Sequence, residues 1–439
     1  MRVRAGFGDQ RGAALVMALI MLVALTGLVL AFLSVSAFEP QISQNLARAA
    51  QARMIADAGL EWAFNRLATL PPGQTYDLYW NGILAAGGNL SGGAMPIPGL
   101  TATAGTFTAT VRNDVTAADR AITGVAPDPN VAPPADANGR VIVTSTGAGA
   151  GAIGIGAVNK TILAVVRRTK IPPINAALAF PGRKADVHFS GASFDIQGTD
   201  HNMDGSLGPA PPVFGISVSG DPAQAGNEAL VEDALQNNPQ SRVLGRSEVT
   251  GLPTSGANAI HADTSLTMQQ VIDFVQEVKN NADVKLNTSP GSTYSASDIG
   301  STCGASWTST TCWGTTSTPK IVYVKGAPGA EYVSVDLSGQ SDGTGILIIE
   351  HGRLEVTGNF RWNGPIIVSG GNAGIRYQGA GSQEVYGAVI VNEVDGTGQN
   401  HLDGDGRGAA KILYSSQALA MVQTRLGRRL MTVYSWREQ

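Results

Sequence analysis

Charge is scarce in this sequence. Lys and Arg number 30 and Asp and Glu 34 among 439 residues, so that 15% of the chain is charged and the formal net charge is −4. Nucleic-acid-binding proteins carry a basic stripe or patch, and the lack of one argues against a nucleic-acid partner. Gly occurs at 55 positions and Pro at 22. This composition is typical of a loop-rich β protein with two or three domains, rather than of a soluble enzyme.

Cysteine is nearly absent. Cys303 and Cys312 are the two in the sequence, and both lie in one Ser/Thr/Gly-rich stretch. They form no CxxC motif, and no nearby His or Cys could complete a zinc site. The close pair predicts a local disulfide if the stretch lies in an oxidising compartment, with two free thiols as the alternative.

Signatures of catalysis are also missing. The motifs HExxH, GxSxG and GxxxxGK[ST] do not occur, and the five His residues are scattered. Residues 149–154 match GxGxxG, but a strand pattern follows them instead of a helix, which favours a hairpin loop over a nucleotide site. We therefore expect no enzymatic activity. A carbohydrate-active enzyme on a β-helix is the remaining enzymatic alternative, and three or more carboxylates or arginines in one cleft would support it.

The N-terminal segment is the longest apolar run. Residues 13–38 contain no charge. As a helix they span roughly 39 Å, more than the ~30 Å hydrocarbon core of a bilayer. The residues before this run carry three positive charges (Arg2, Arg4 and Arg11) and one negative charge (Asp9). This excess of positive charge predicts a cytoplasmic N-terminus and translocation of the rest of the chain. A signal peptide would be shorter, a plain anchor fits the length, and a leader cut on the cytoplasmic side fits the boundary at Gly12.

The segment that follows is amphipathic. Pro40 interrupts the pattern, and apolar residues then recur at three- and four-residue steps over residues 41–70. The helix is predicted to end at the sequence Pro71, Pro72 and Gly73. We expect one helix whose first half lies in the membrane and whose second half packs on its own globular domain.

Two stretches of this helix carry a family resemblance. Residues 11–20 (RGAALVMALI) and 47–61 (ARAAQARMIADAGLE) resemble the N-terminus of PilX-type minor pilins, and also that of the large minor pseudopilin of type II secretion. The resemblance implies that prepilin peptidase cuts between Gly12 and Ala13. Major pilins carry Glu at the fifth mature position, where this chain has Met17. By that resemblance the chain is a tip, priming or low-copy subunit rather than a repeating one.

The pattern of the rest of the chain predicts mostly β-strands, so the expected fold class is α+β. We expect a pilin-like β region over residues 71–170, containing a flexible loop at 126–138, and a Gly-rich β domain over 171–439. Helical insertions are expected at about 227–285, the second capped by Asp263, Thr264 or Ser265. Short strands with Gly corners over 345–391 favour a parallel β-helix-like stack, with a meandering sandwich as the alternative. The closing residues 434–438 also resemble PilX-domain proteins.

One loop resembles half of a calcium site. Asp200, Asn202 and Asp204 alternate before Gly205, and Ser206 would supply a backbone carbonyl. The Glu of a complete calcium loop is missing, since Pro211 stands at its position, and an Asx-rich turn is the alternative. A weaker candidate is 403–406 (DGDG).

These expectations define a functional hypothesis. The chain would be a minor pilin that primes or caps a type IV pilus, anchored once in the inner membrane with its bulk extracytoplasmic, at the pilus tip or cell surface after assembly. Its partners would be other minor pilins or pseudopilins, the inner-membrane assembly platform and prepilin peptidase. The alternatives are a membrane-tethered adhesin and the tethered carbohydrate-active enzyme named above.

Overall fold

The computed structural model describes residues 10–71, 74–149, 158–191, 194–236, 238–287, 293–297, 299–300, 303, 311–326, 333–377, 381–396, 400–404 and 409–438. These residues form a mixed α and β protein with a long N-terminal helix and many strands. The leader residues 1–9, residues 150–154 of the GxGxxG stretch and residues 405–406 of the weaker calcium candidate lie outside the described part.

The first helix, α1, runs from Gln10 to Ala68 without a break. Pro40 lies inside this helix, which continues across the proline as expected. Proline removes its own N–H from the helix, and thus one hydrogen bond, while the turns on either side keep theirs. The helix begins before the expected cleavage boundary and ends just before the Pro71 stop.

Sheet one packs against the second half of α1. It has five antiparallel strands in the order β1-β2-β3-β4-β23. They are β1 (Met95–Pro96), β2 (Thr106–Asn113), β3 (Arg140–Ala148), β4 (Asn159–Arg168) and β23 (Met431–Glu438). The last strand comes from the end of the chain, so a division at residue 170 does not separate sheet one from the rest.

A helix stands where the sequence predicted only β structure. Helix α2 spans Tyr76–Ala85, and the side chain of Thr75 caps it by accepting a hydrogen bond from the N–H of Leu78. Tyr76, Tyr79, Trp80 and Leu84 are buried on one face. Their three- and four-residue spacing is helical, and it outweighs the preference of aromatic residues for strands.

Two further sheets lie face to face and contain most of the described strands. Sheet two has β5 (Ala176–Phe180), β7 (Phe194–Gln197), β8 (Phe214–Ser219), β9 (Val243–Arg246), β10 (Pro253–Ser255), β11 (Ile260–Asp263), β12 (Val284–Asn287), β14 (Lys320–Lys325), β16 (Gln340–Glu350), β18 (Asn359–Gly370), β20 (Ser382–Glu393) and β22 (Ala409–Tyr414). Sheet three has β6 (Val187–Gly191), β13 (Thr293–Ser297), β15 (Val333–Ser338), β17 (Gly352–Val356), β19 (Gly374–Tyr377) and β21 (Asn400–Gly404).

From β12 to β22 the chain alternates between these two sheets, and each strand pairs in parallel with the next one in its own sheet. Apolar side chains from both sheets fill the space between them, including Trp362 and Tyr377. At the bends of the long strands, Gly364 and Gly387 are paired and have φ of +129° and +149°. A Cβ on Gly387 would lie 2.2 Å from the carbonyl oxygen of Gly364, so stacked bends require glycine there.

Sheets two and three together are called the stack below. Three helices cover it: α4 (Asn227–Leu235), α5 (Met268–Val278) and α6 (Ser416–Leu426). The outer face of sheet two packs on α5 and α6 through a second set of alternating apolar residues. The expected cap of α5 is wrong, because Thr267 caps it together with Gln270 in a capping box. The short helix α3 (Arg120–Thr123) lies on the outer face of sheet one.

The loop at residues 126–138 was expected to be flexible, and its residues make several specific hydrogen bonds. The amide Nδ2 of Asn113 donates to the carbonyl of Ala135 at 2.6 Å. A carboxylate oxygen of Asp128 accepts from the N–H of Ala137 at 2.7 Å, and one of Asp136 accepts from the N–H of Gly139 at 2.7 Å. Both aspartates are buried, so the loop is bonded between its two ends and, near its C-terminal end, to β2.

A substitution at Gly147 tests the contact between α1 and sheet one. A Cβ there would lie 2.2 Å from the carbonyl oxygen of Ala52 and 2.4 Å from the N of Ala56, both backbone atoms of α1. We expect Gly147→Ala to destabilise the protein by about 2 kcal/mol or more, because the backbone has to move. The thermal unfolding midpoint, followed by circular dichroism, measures the effect.

The matched control is Gly82→Ala in α2, where a Cβ meets nothing within 4 Å. Alanine favours the helix there, so the midpoint should stay or rise slightly. Equal midpoints for the two variants would contradict the close approach.

Candidate functional site

No described part of the chain covers the first half of α1. Its described side chains from Ala14 to Ser36 are exposed, although nearly all are apolar. Among the described residues, α1 is the helix long and apolar enough to cross a membrane. A surface of this kind is stable in lipid or against other apolar helices, and not in water.

The second half of α1 is a docking face. Ala52, Ile55, Ala56, Ala63 and Leu67 are buried against sheet one and α2. Most of these side chains are small, which lets the helix lie close to β3. The two halves of α1 thus face different surroundings, and the change occurs within a single unbroken helix.

The positions named by the family resemblance lie at the exposed end of α1. A Cβ on Gly12 would meet nothing within 4 Å. The side chain of Met17 is 75% exposed. No acidic side chain occurs between Gly12 and Glu39. The contacts that these residues make therefore depend on other molecules.

A cluster of charges joins the end of β4 to α2 and to the 126–138 loop. The side chain of Arg168 is 9% exposed and donates to Asp77, and its Nη2 lies 3.6 Å from Asp136 Oδ2. Lys170 Nζ lies 3.4 Å from Asp77 and 3.9 Å from Asp136. Burial raises the pKa of Asp136, although Lys170 and Arg168 act against it. The guanidinium of Arg168 also lies 5.3 Å from the centre of the Trp80 ring.

A cleft of about 590 Å³ opens beside this cluster, between sheet one and helices α5 and α6. Its charged lining comes from three arginines, one lysine and three carboxylates: Arg140, Arg167, Arg168, Lys170, Asp77, Asp273 and Glu277. The cleft therefore contains three or more carboxylates or arginines, which is the observation that would support the enzymatic alternative. Several are neutralised in pairs, since Arg168 is bonded to Asp77 and Arg167 Nη1 lies 3.3 Å from Glu277 Oε1.

The two cysteines are joined in a disulfide. The Cα atoms of Cys303 and Cys312 lie 4.7 Å apart, and Cys312 is buried. The next residue, Trp313, is buried in the core between sheets two and three and stacks on Tyr294. The bridge therefore lies next in the chain to a residue of this core.

The expected calcium ligands hydrogen-bond to their own surroundings. Asp200 is buried, and its two carboxylate oxygens accept from the N–H and hydroxyl of Ser416 at 2.8 and 2.9 Å. Asp204 Oδ1 accepts from the N–H and hydroxyl of Ser206, while the carbonyl of Ser206 accepts from the N–H of Asn202. Within the described part of the chain, no three His, Cys, Asp or Glu side chains are grouped to hold a metal ion.

A row of alternating charges crosses sheet two, and no motif in the sequence predicted it. Asp342, Arg361, Glu384, Lys411 and Asp195 are neighbours in successive parallel strands. They lie on the outward face at the strand spacing of about 4.8 Å. Lys411 Nζ donates to Glu384 at 2.9 Å. Burial acts to raise the pKa of Glu384, but the bond to Lys411 and its charge outweigh burial and the pKa is lowered.

Comparison with known proteins does not assign the chain to a family. No family model matches it, and neither does any curated protein. Among solved structures it is similar to the competence-associated pilin ComZ from Thermus thermophilus, at 12% identity over 89% of this chain and 97% of that chain. The TM-score is 0.28. At that value the likeness supports no conclusion about function, which has to rest on the residues of this chain.

Sequence reasoning missed three residues that the fold brings together at the cleft mouth: Arg140, Arg167 and Tyr434. Arg140 and Arg167 are direct partners across β3 and β4. Tyr434 lies at an irregularity in β23, and its ring centre is 4.9 Å from Arg140 and 5.9 Å from Arg167. The three positions are far apart in the chain and share no motif, so only strand register indicates the cluster.

The calcium hypothesis can be tested directly. We expect EDTA to leave the thermal unfolding midpoint unchanged relative to excess calcium, because the carboxylates of the 200–206 loop already have hydrogen-bond donors. Magnesium serves as the control for a general effect of divalent cations. A higher midpoint in calcium alone would instead establish calcium binding.

The carboxylate of Asp119 gives a prediction for pH dependence. Hydrogen bonds from Arg112, together with those from Thr116, lower the pKa of Asp119 to about 2 despite its burial. A pKa lowered by folding stabilises the protein above the unfolded value of about 4, and this contribution is lost as the pH falls toward 2. We expect Asp119→Asn to lower stability at pH 7 by about 1–2 kcal/mol, since charge-assisted bonds are lost.

The comparison is made by urea unfolding at several pH values. The difference between the native chain and Asp119→Asn should shrink from pH 4 downward. A difference that stays constant to pH 2 would show that the charge of Asp119 is not the cause.

Proposed function

We propose that the chain is a minor pilin-like subunit that primes or caps a type IV pilus. The observation that carries this proposal is the division of α1 into an exposed apolar half and a half docked on sheet one. A subunit of this shape can leave the bilayer and pack its apolar half against the helices of other subunits. Its globular part would stay attached through the docked half.

Maturation at Gly12 follows from the same proposal. Prepilin peptidase would cut between Gly12 and Ala13 and leave Ala13 as the mature N-terminus. Gly12 is exposed and crowded by nothing within 4 Å, which suits a protease substrate. Met17 at the fifth mature position adds no carboxylate to the bilayer, where an unpaired one is costly. The absence of a carboxylate at this position fits a low-copy subunit of PilX type better than a repeating subunit.

The displayed part of the subunit would be the stack of sheets two and three. We infer a parallel β-helix-like solenoid, because the chain alternates between two parallel sheets around one apolar core. Such a stack is rigid along its length, since each strand is held by its neighbours. The outward row of alternating charges on sheet two would make polar contacts with a surface or a partner pilin, and adhesion is one use of such contacts.

Location and partners follow the orientation of α1. The N-terminus would stay in the cytoplasm, and the stack would lie outside it, where the Cys303–Cys312 disulfide is stable. Other minor pilins or pseudopilins and the inner-membrane assembly platform are the proposed partners. We propose no catalytic role, because the carboxylates of the cleft are largely engaged with cations.

Mass spectrometry of the N-terminus tests the proposal, and Gly12→Val is the informative variant. We expect the native chain isolated from membranes to begin at Ala13. The Gly12→Val chain should keep Met1 or be cut far less, because a branched side chain then occupies the last position of the leader.

The matched control is Gly27→Val, at another exposed glycine of α1 where a Cβ would meet nothing. It should be processed like the native chain. An intact Met1 in the native chain, or a cut beyond residue 38, would overturn the pilin proposal in favour of a plain anchor or a signal peptide.

A further inference from the structure

Two arginines stand directly opposite each other on the outer face of sheet one. Arg140 of β3 and Arg167 of β4 are partners in the antiparallel register. Like charges in directly opposite positions destabilise a sheet. A negative group beside the pair, supplied either by the protein or by a ligand, would relieve this repulsion.

The protein supplies that group only in part. Arg167 has a carboxylate neighbour in Glu277 of α5, with 3.3 Å between Nη1 and Oε1. The Nε of Arg167 is buried without a hydrogen-bond partner in the described structure. Within the described residues, no carboxylate lies within ion-pairing distance of Arg140, whose Nη1 donates to the carbonyl of Thr123. On the same face, by contrast, Arg112 has its own acid in Asp119 at 2.7 Å.

The ring of Tyr434 lies beside both guanidinium groups. The register of β23 against β4 shifts between Val433 and Ser435, and Tyr434 lies at this shift. Its ring centre lies 4.9 Å from the guanidinium of Arg140 and 5.9 Å from that of Arg167. Contacts of this kind orient guanidinium planes, and irregularities in strands often redirect a side chain beside a binding site.

The pair opens onto the cleft of about 590 Å³. That volume lies in the range of small-molecule sites, which favour the space between two parts of a protein. Apolar lining is also present, from Phe274, Ile171 and Leu430. The cleft thus combines a cationic mouth with apolar surface, as a site for an organic anion requires.

We propose that this cleft binds a small organic ligand through an oxyanion group, a carboxylate or a phosphate. Arg140 is the primary anchor, because a guanidinium with no acidic partner can take two oxygens of the ligand side by side. Arg167 is the second anchor. When the ligand is absent, Glu277 pairs with Arg167, and it therefore competes with the ligand for this arginine. The site is separate from the pilin role of α1 and does not depend on it.

Titration calorimetry on the full chain in detergent micelles tests the site. Inorganic phosphate and glucuronate are the two probes, at fixed ionic strength with chloride as the reference ion, and they separate phosphate from carboxylate recognition. We expect saturable binding of at least one probe. Arg140→Gln should weaken it by about tenfold or more, the usual loss for one charged hydrogen-bonded contact.

Two further variants make the result specific. Arg120→Gln removes an exposed arginine of α3 that does not line the cleft, and affinity should stay within about twofold of the native value. Glu277→Gln releases Arg167, so affinity should rise by about threefold or more. Arg140→Gln and Glu277→Gln thus change affinity in opposite directions, which general unfolding cannot produce.

The following outcomes would overturn the proposal. One is the absence of saturable heat above chloride for both probes. Another is equal weakening by Arg140→Gln and Arg120→Gln, which would indicate only general attraction to positive charge. A loss of affinity in Glu277→Gln would also contradict it, because the competing carboxylate would then be a ligand contact instead.

Discussion

The close contact between α1 and β3 is the constraint on which the rest of the molecule depends. Within the described residues, the first half of α1 makes no contact with the sheets, so its second half joins the helix to the globular part. That joint is built from small side chains and from Gly147, which let two backbones meet almost directly. Close backbone contact leaves the docked half of α1 little freedom to roll or slide, because movement would bring its atoms into collision with those of β3. The position of the docked half of α1 on sheet one is therefore well defined.

The end of the chain strengthens the same joint. Strand β23 returns from the stack to pair with β4, and its Glu438 lies 2.7 Å from Lys160 and 3.6 Å from Arg53 of α1. The stack is thus inserted into sheet one and is held by two connections, at residue 170 and before residue 431. Two connections restrain the stack more than one would. They also create the cleft, whose walls come from sheet one and from the helices on the stack, and whose mouth includes arginines beside the returning Tyr434.

Much of the architecture was predictable because it depends on local pattern. The unbroken apolar run and the amphipathic segment after it indicated α1, and α5 and β14 follow from their own periodicity. Local pattern failed where two preferences competed. Aromatic residues, which favour strands, hid the helical spacing of α2. Three polar residues preceded α5, yet Thr267 caps it because Gln270 completes the box.

The sequence by itself determined the membrane-type helix, the β-rich remainder and the scarcity of catalytic motifs, since these depend on composition and on spacing along the chain. Only the tertiary structure decided which distant residues became neighbours. Strand register placed Arg140 opposite Arg167, brought Tyr434 onto both, and aligned five alternating charges across sheet two. It also returned β23 to the first sheet. Register is set by how many strands bury their apolar faces together, a property of the whole core that no short segment carries.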